Sequence, residues 1–135
     1  DIQDRALCNA KKRIDELGLT KRVELIKDGH ENMDKYVNMP VKAVMFNLGY
    51  LPGGDHKIGT KPQTTIQAIK KAMNLLIKGG VIVIVIYYGG DSGFEEKERV
   101  LEFLTGIDQK EYIVMKNEFI NQANCPPILV CIEKL

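Results

Sequence analysis

Apolar positions recur along this chain in two rhythms, one helical and one uninterrupted. Leu7, Ala10, Ile14 and Leu17 fall at helical spacing and predict a helix from Asp4 to Leu17, which Gly18 ends in the left-handed conformation. Val23 to Lys27 reads as a short strand, Glu31 to Tyr36 as a weak helical turn, and Val41 to Phe46 as a continuous apolar strand. Thr60 then caps a helix with Pro62 in its first turn. Its buried stripe is Ile66, Ile69, Met73 and Leu76, and Gly79-Gly80 stop it. The run Val81 to Tyr88 has no polar alternation, the pattern of a central parallel strand covered on both faces. Ser92 and Glu95 form a capping box for a helix to about Leu104. Tyr112 to Phe119 and Ile128 to Glu133 are two further strands, broken apart by Pro126-Pro127 and suited to antiparallel pairing.

Strands alternating with helices imply right-handed crossovers and a layered α/β sheet. Ligands of such sheets bind beyond the carboxyl ends of the strands. Three polar, glycine-containing segments fall there: Asp28-Gly29-His30, Asn47 to Thr60, and Tyr87 to Ser92. Position alone makes them the working edge.

Composition narrows the class. The 135 residues make one domain with a sizeable core, and 44% hydrophobic against 27% charged residues excludes a disordered chain. A net charge of +1 gives no global attraction to nucleic acid or membrane, so RNA binding requires a local patch. The longest apolar run is far shorter than the ~20 residues of a membrane helix. Cys8, Cys125 and Cys131 lack metal-binding spacing and read as reduced thiols of a cytoplasmic protein.

The stretch Asn47-Leu48-Gly49-Tyr50-Leu51-Pro52-Gly53-Gly54-Asp55 carries the most chemistry. Asn, Gly and Pro make turns everywhere. They also suit an amine substrate: the Asn47 side-chain carbonyl and the backbone carbonyls of the turn accept from N–H donors. Gripping both N–H groups of a neutral amine aims its lone pair at an electrophile, while Tyr50 stacks on a planar base.

That segment resembles the (Asn/Asp)-Pro-Pro-(Tyr/Phe) motif of amino-group methyltransferases, with Gly49 and Tyr50 departing from the usual pattern. The wider run FNLGYLPGGDHKIGT, with TTIQAI, a strand ending in YYGG, and FINQANCPP, is similar to one family over essentially the whole chain. This is the bacterial rRNA methylase family, whose characterised members are tRNA 5-(aminomethyl)-2-thiouridine methyltransferases. The resemblance implies a Rossmann-like class I methyltransferase sheet ending in an antiparallel strand pair. It implies S-adenosylmethionine (SAM) as methyl donor and the aminomethyl group of a tRNA wobble uridine as acceptor. It implies that Asp1 bonds the SAM ribose hydroxyls with Gln3 beside it, and that Asp28, Gly29 and His30 contact the adenine. Asn47 and Tyr50 then fall at the target amine as the catalytic pair, Asn47 also bordering the cofactor. Gly49, Pro52, Asp55, His56, Lys57 and Tyr88 face the substrate. A homodimer is expected on the same ground.

Plainer roles stand beside these. Asp1 also suits a helix N-terminus, His30 a cap for the turn after it, and one of Tyr87 and Tyr88 the core. Asp55, His56 and Asp91 are equally placed to take the released proton. Lys57, Lys61, Lys70 and Lys71 suit RNA phosphates, though the last two also suit a solvated helix face.

One departure from the family is large. Its first strand, its Asp-x-Thr-x-Gly-x-Gly-type loop and its first helix have no counterpart here. In the sheet order 3-2-1-4-5-7-6 those strands lie between Val23–Lys27 and Val41–Phe46. At ~25 cal/mol per Å2 their loss exceeds the ~5–15 kcal/mol by which domains are stable. The resemblance therefore implies a longer protein. Alternative readings are an rRNA methyltransferase, a nicotinamide-dependent oxidoreductase on the same layout, and a non-catalytic binding module.

Overall fold

A computed structural model describes residues 1–49 and 59–135, with the side chains of 90–92 excepted. Helix α1 (Asp4–Glu16) is followed by 3-10 turns at Thr20–Arg22 and His30–Lys35. Then come β1 (Val41–Leu48), α2 (Pro62–Leu75), β2 (Leu76–Ile86), α3 (Gly90–Thr105), β3 (Tyr112–Asn117) and β4 (Ile128–Lys134).

The four strands form one sheet in the order β1-β2-β4-β3. β1 and β2 are parallel, with Phe46 opposite Ile84 and Asn47 opposite Val85. β4 runs antiparallel to both β2 and β3. The expected C-terminal antiparallel pair is present, and the order corresponds to the 4-5-7-6 portion of the expected sheet.

Alternation along the strands sends one set of side chains into the core. Phe46, Leu48, Ile82, Ile84, Ile86, Ile128, Val130 and Ile132 are all buried. With Ala68, Ile69 and Ala72 of α2 and Val100 and Leu104 of α3 they form one hydrophobic cluster. Small residues at 68 and 72 let α2 lie close to the sheet, while Ile66 and Met73 flank the contact half-buried.

Several expectations need correction. Val23 to Lys27 joins no strand ladder among the described residues, and Val23 and Leu25 are exposed. A strand exists only through its hydrogen-bonded neighbour, which a sequence pattern does not supply. β2 is central, yet it is parallel on one side only and is not covered equally on both faces. Ile82, Ile84 and Ile86 are fully buried, whereas Val81, Val83 and Val85 are half-exposed and Met45 beside them is 74% exposed. β-branched character does not separate a fully buried face from a half-covered one. The stripe of α1 is likewise only half-buried at Leu7, Ala10 and Ile14, and Leu17 is exposed.

Helix ends moved as well. Gly79-Gly80 do not stop α2, which ends at Leu75 and passes directly into β2. Those glycines form an irregularity in β2, where Val41 pairs with Leu76 but Ala43 with Val81. Gly79 has φ +67°, and a Cβ on Gly80 would lie 2.8 Å from the Ile77 carbonyl oxygen. α3 starts at Gly90, so Ser92 sits inside it rather than at its cap. Thr60 is not the cap of α2 either. Lys61 holds that position, and the Thr60 hydroxyl is used elsewhere.

Candidate functional site

β1 and β2 end side by side, and their carboxyl ends open onto a cavity of about 1210 Å3. Its lining draws on all three predicted segments and on the chain before α1. Asp1, Gln3, Asp28, Gly29, His30, Asn47, Gly49 and Tyr88, expected at the site from sequence, all border it. Tyr50, Pro52, Asp55, His56 and Lys57 lie outside the described residues.

Asn47 is the penultimate residue of β1. Strand alternation turns Phe46 and Leu48 into the core and leaves Asn47 exposed on the opposite side. Its side-chain amide makes no hydrogen bond with the described residues. Gly49 follows with φ +143°, where a Cβ would press to 3.3 Å from that of Tyr87. Only glycine fits this turn. The Tyr87 N–H donates to the Leu48 carbonyl at 3.1 Å, tying the ends of the two parallel strands together.

Also on the cavity lining, the Asp1 carboxylate accepts from the Gln3 N–H at 2.8 Å, and the Asp1 backbone nitrogen donates to the Ile26 carbonyl at 3.1 Å. Asp1 thus lies against segment 23–27, in reach of the cavity. The Asp28 carboxylate accepts from the Tyr36 hydroxyl (2.7 Å), the Asn32 amide (2.8 Å) and the Gly29 N–H (2.7 Å). These bonds, Tyr36 foremost, hold it below the ordinary carboxylate range. Asp28 therefore shapes the Gly29-His30 turn.

His30 packs edge-on to Phe46, ring centroids 5.9 Å apart. Burial lowers its pKa from the ordinary 6.5, outweighing the opposing pull of Glu31 and Glu96. The ring is neutral at pH 7. Because the folded-state value is the lower one, the unfolded chain takes up this proton first as pH falls. His30 thus contributes stability that is complete above about 6.5 and is lost as pH drops below it toward the depressed folded value. Denaturant melts at pH 7.5 and 5.5 should accordingly show a smaller loss of stability for His30→Gln than for the parent. An equal loss in both would rule His30 out as the titrating group.

Tyr87 is the half-exposed tyrosine at the cavity, whereas Tyr88 packs on the core and edge-on to Phe94, with the Lys97 ammonium 4.5 Å over its ring. Lys71 is tied to Asp34 at 2.7 Å and to the Glu31 carbonyl, and Lys70 lies over Phe103. Neither is held ready for phosphates, whereas Lys61 borders the cavity.

Sequence reading missed Asn124 and Cys125 at the cavity rim, both with positive φ (62° and 54°). Their one signal was an Asn, tolerant of that conformation, shortly before the two prolines. It also missed Glu96. This residue of α3 is 4% exposed and accepts from Thr60 Oγ1 at 2.6 Å and Thr65 Oγ1 at 2.7 Å. In sequence it is one more glutamate in a charged helix.

With this geometry in place, comparison with known proteins is informative. Residues 1–133 match the family model "Putative rRNA methylase". A curated relative, the Arabidopsis thaliana "tRNA (mnm(5)s(2)U34)-methyltransferase, chloroplastic", is 36% identical over 134 residues, covering 96% of this chain and 49% of its own. The chain thus spans about half the length of that relative. The structure of a "putative rRNA-methylase" from Clostridium thermocellum superposes with a TM-score of 0.98 at 70% identity, over 100% of this chain and 73% of the other. A "putative methyltransferase" from Streptococcus mutans, solved in complex with SAH, gives 0.93 at 44% identity over the same shares. The Rossmann-like α/β fold expected from the sequence is the fold of these methyltransferase structures. The chain belongs to the rRNA methylase family.

Proposed function

We propose that this chain supplies the acceptor side of a SAM-dependent methyltransferase acting on an RNA base, and that the acceptor is the 5-aminomethyl group of 2-thiouridine at the tRNA wobble position. The observation that carries the reading is the Asn47 amide, without a hydrogen-bond partner among the described residues, on the lining of a cavity that Asp1 and His30 also border. The residues suit the cofactor. A carboxylate at Asp1 accepts from a ribose diol, as in dinucleotide sites. An uncharged His30 with Met33, Val44 and Phe46 offers a flat base an apolar wall and sets no positive charge against a sulfonium.

SAM, when bound, supplies an electrophilic methyl on a sulfonium, so the chemistry asked of the protein is mainly alignment. Asn47 accepts from the N–H groups of a neutral amine and directs its lone pair across the cavity. The rigid end of β1, fixed to β2 through the bond from Tyr87 N–H to the Leu48 carbonyl, keeps that direction. The relatives' names support an RNA substrate.

Calorimetry with SAM and with NAD, followed by mass spectrometry of nucleosides from tRNA and rRNA incubated with the protein and SAM, tests the reading. SAM binding with a new methyl group on tRNA aminomethyl-2-thiouridine is the expected result. Methylation confined to rRNA would move the substrate, and absence of SAM binding by the full-length protein would overturn the proposal.

A further inference from the structure

We propose that Glu96 is a positioning residue for methyl transfer, its buried carboxylate acting through the Thr60 hydroxyl to fix the base of the 49–60 loop and, with it, Asn47. The inference rests on the function proposed above.

The geometry is a short relay. The Thr60 hydroxyl has one hydrogen, and it donates that to Glu96 Oε2 at 2.6 Å. Its oxygen is thereby left as the acceptor for the Gly49 N–H at 3.0 Å. The Thr60 N–H returns a bond to the Gly49 carbonyl at 3.1 Å, so both ends of the loop are clasped to each other. Asn47 stands two residues before this clasp.

Glu96 accepts through both carboxylate oxygens, so Thr60 and Thr65 both act as donors. That choice sets the direction of every bond up to Gly49. Thr65 is itself fully buried on α2, so Glu96 also ties α3 to α2. A carboxylate this buried is costly unless fully bonded. An apolar residue would fill the space equally well without orienting the hydroxyl. A glutamine is the sharp probe, because its NH2 group faces one of the two threonines with a donor where an acceptor stood.

Glu96→Gln is expected to lower kcat roughly 10- to 100-fold, the cost of an ångström-scale misplacement at a reacting centre. The SAM Kd should stay within about threefold. Exchange of the Gly49 amide hydrogen, which needs no activity to be read, should quicken by about tenfold or more. Thr60→Val should reproduce these losses, Thr60→Ser should restore them, and the Glu96→Gln/Thr60→Val pair should be no worse than either alone. The threonine pair carries the test if Glu96→Gln does not fold. A lowered Tm with unchanged kcat and unchanged Gly49 exchange overturns the inference, since it would show a purely stabilising carboxylate. Failure of the parent protein to methylate RNA would instead overturn the proposed function, and this inference with it.

Discussion

Asn47→Ala is expected to lower kcat for methyl transfer by about two orders of magnitude or more while leaving SAM affinity nearly unchanged. The side chain is the one polar group at the end of β1 that faces the cavity free of other partners among the described residues. Truncating it removes the acceptor that orients the amine but no packing, since Asn47 is exposed and its neighbours Phe46 and Leu48 hold the strand in the core. The fold should survive. Asn47→Asp separates two roles: it retains an acceptor but adds charge, and a partial recovery of rate would identify acceptance from the amine as the contribution. The measurement is a single-turnover rate with saturating SAM. Undiminished methylation by Asn47→Ala would remove Asn47 from the site.

The largest effect on stability should come from the centre of the sheet. Ile84 is completely buried between Phe46 on β1 and Val130 on β4, beneath α2 and α3. Ile84→Ala should cost about 2–5 kcal/mol and Ile84→Val about 0.5–1.5 kcal/mol, read from urea unfolding. Against a total of ~5–15 kcal/mol the alanine is severe. The outward-facing Val83→Ala, one residue away on the half-covered face, should cost clearly less. Equal costs at 83 and 84 would contradict the one-sided core.

The contrast between these neighbours explains what the sequence disclosed. Runs such as Val81 to Ile86 revealed a strand because β-branched residues announce one, and the chain order of elements followed from glycine and proline punctuation. The same run did not reveal how well each face is covered, because coverage depends on other elements. Val23 to Lys27 failed as a strand for the same reason: pairing is a property of two segments. At the site, position beyond the strands and family resemblance singled out Asn47 and His30, and the structure brings both to the cavity lining. Glu96 was not legible, because its role lies in the burial of one carboxylate and in two hydroxyls 31 and 36 residues away in sequence. Thr60 was read by its most common use, capping, when its hydroxyl was already committed to a longer-range bond.

The direct passage from Leu75 to Leu76 ties the rotation of α2 to the pleat of β2. One residue inserted at that junction would turn the helix about 100° relative to the strand or exchange the strand's two faces. Lengthening at Gly79-Gly80 would be absorbed where the ladder is already out of step. Within these few residues the protein has one seam that tolerates no change of length and another where the ladder is already out of step.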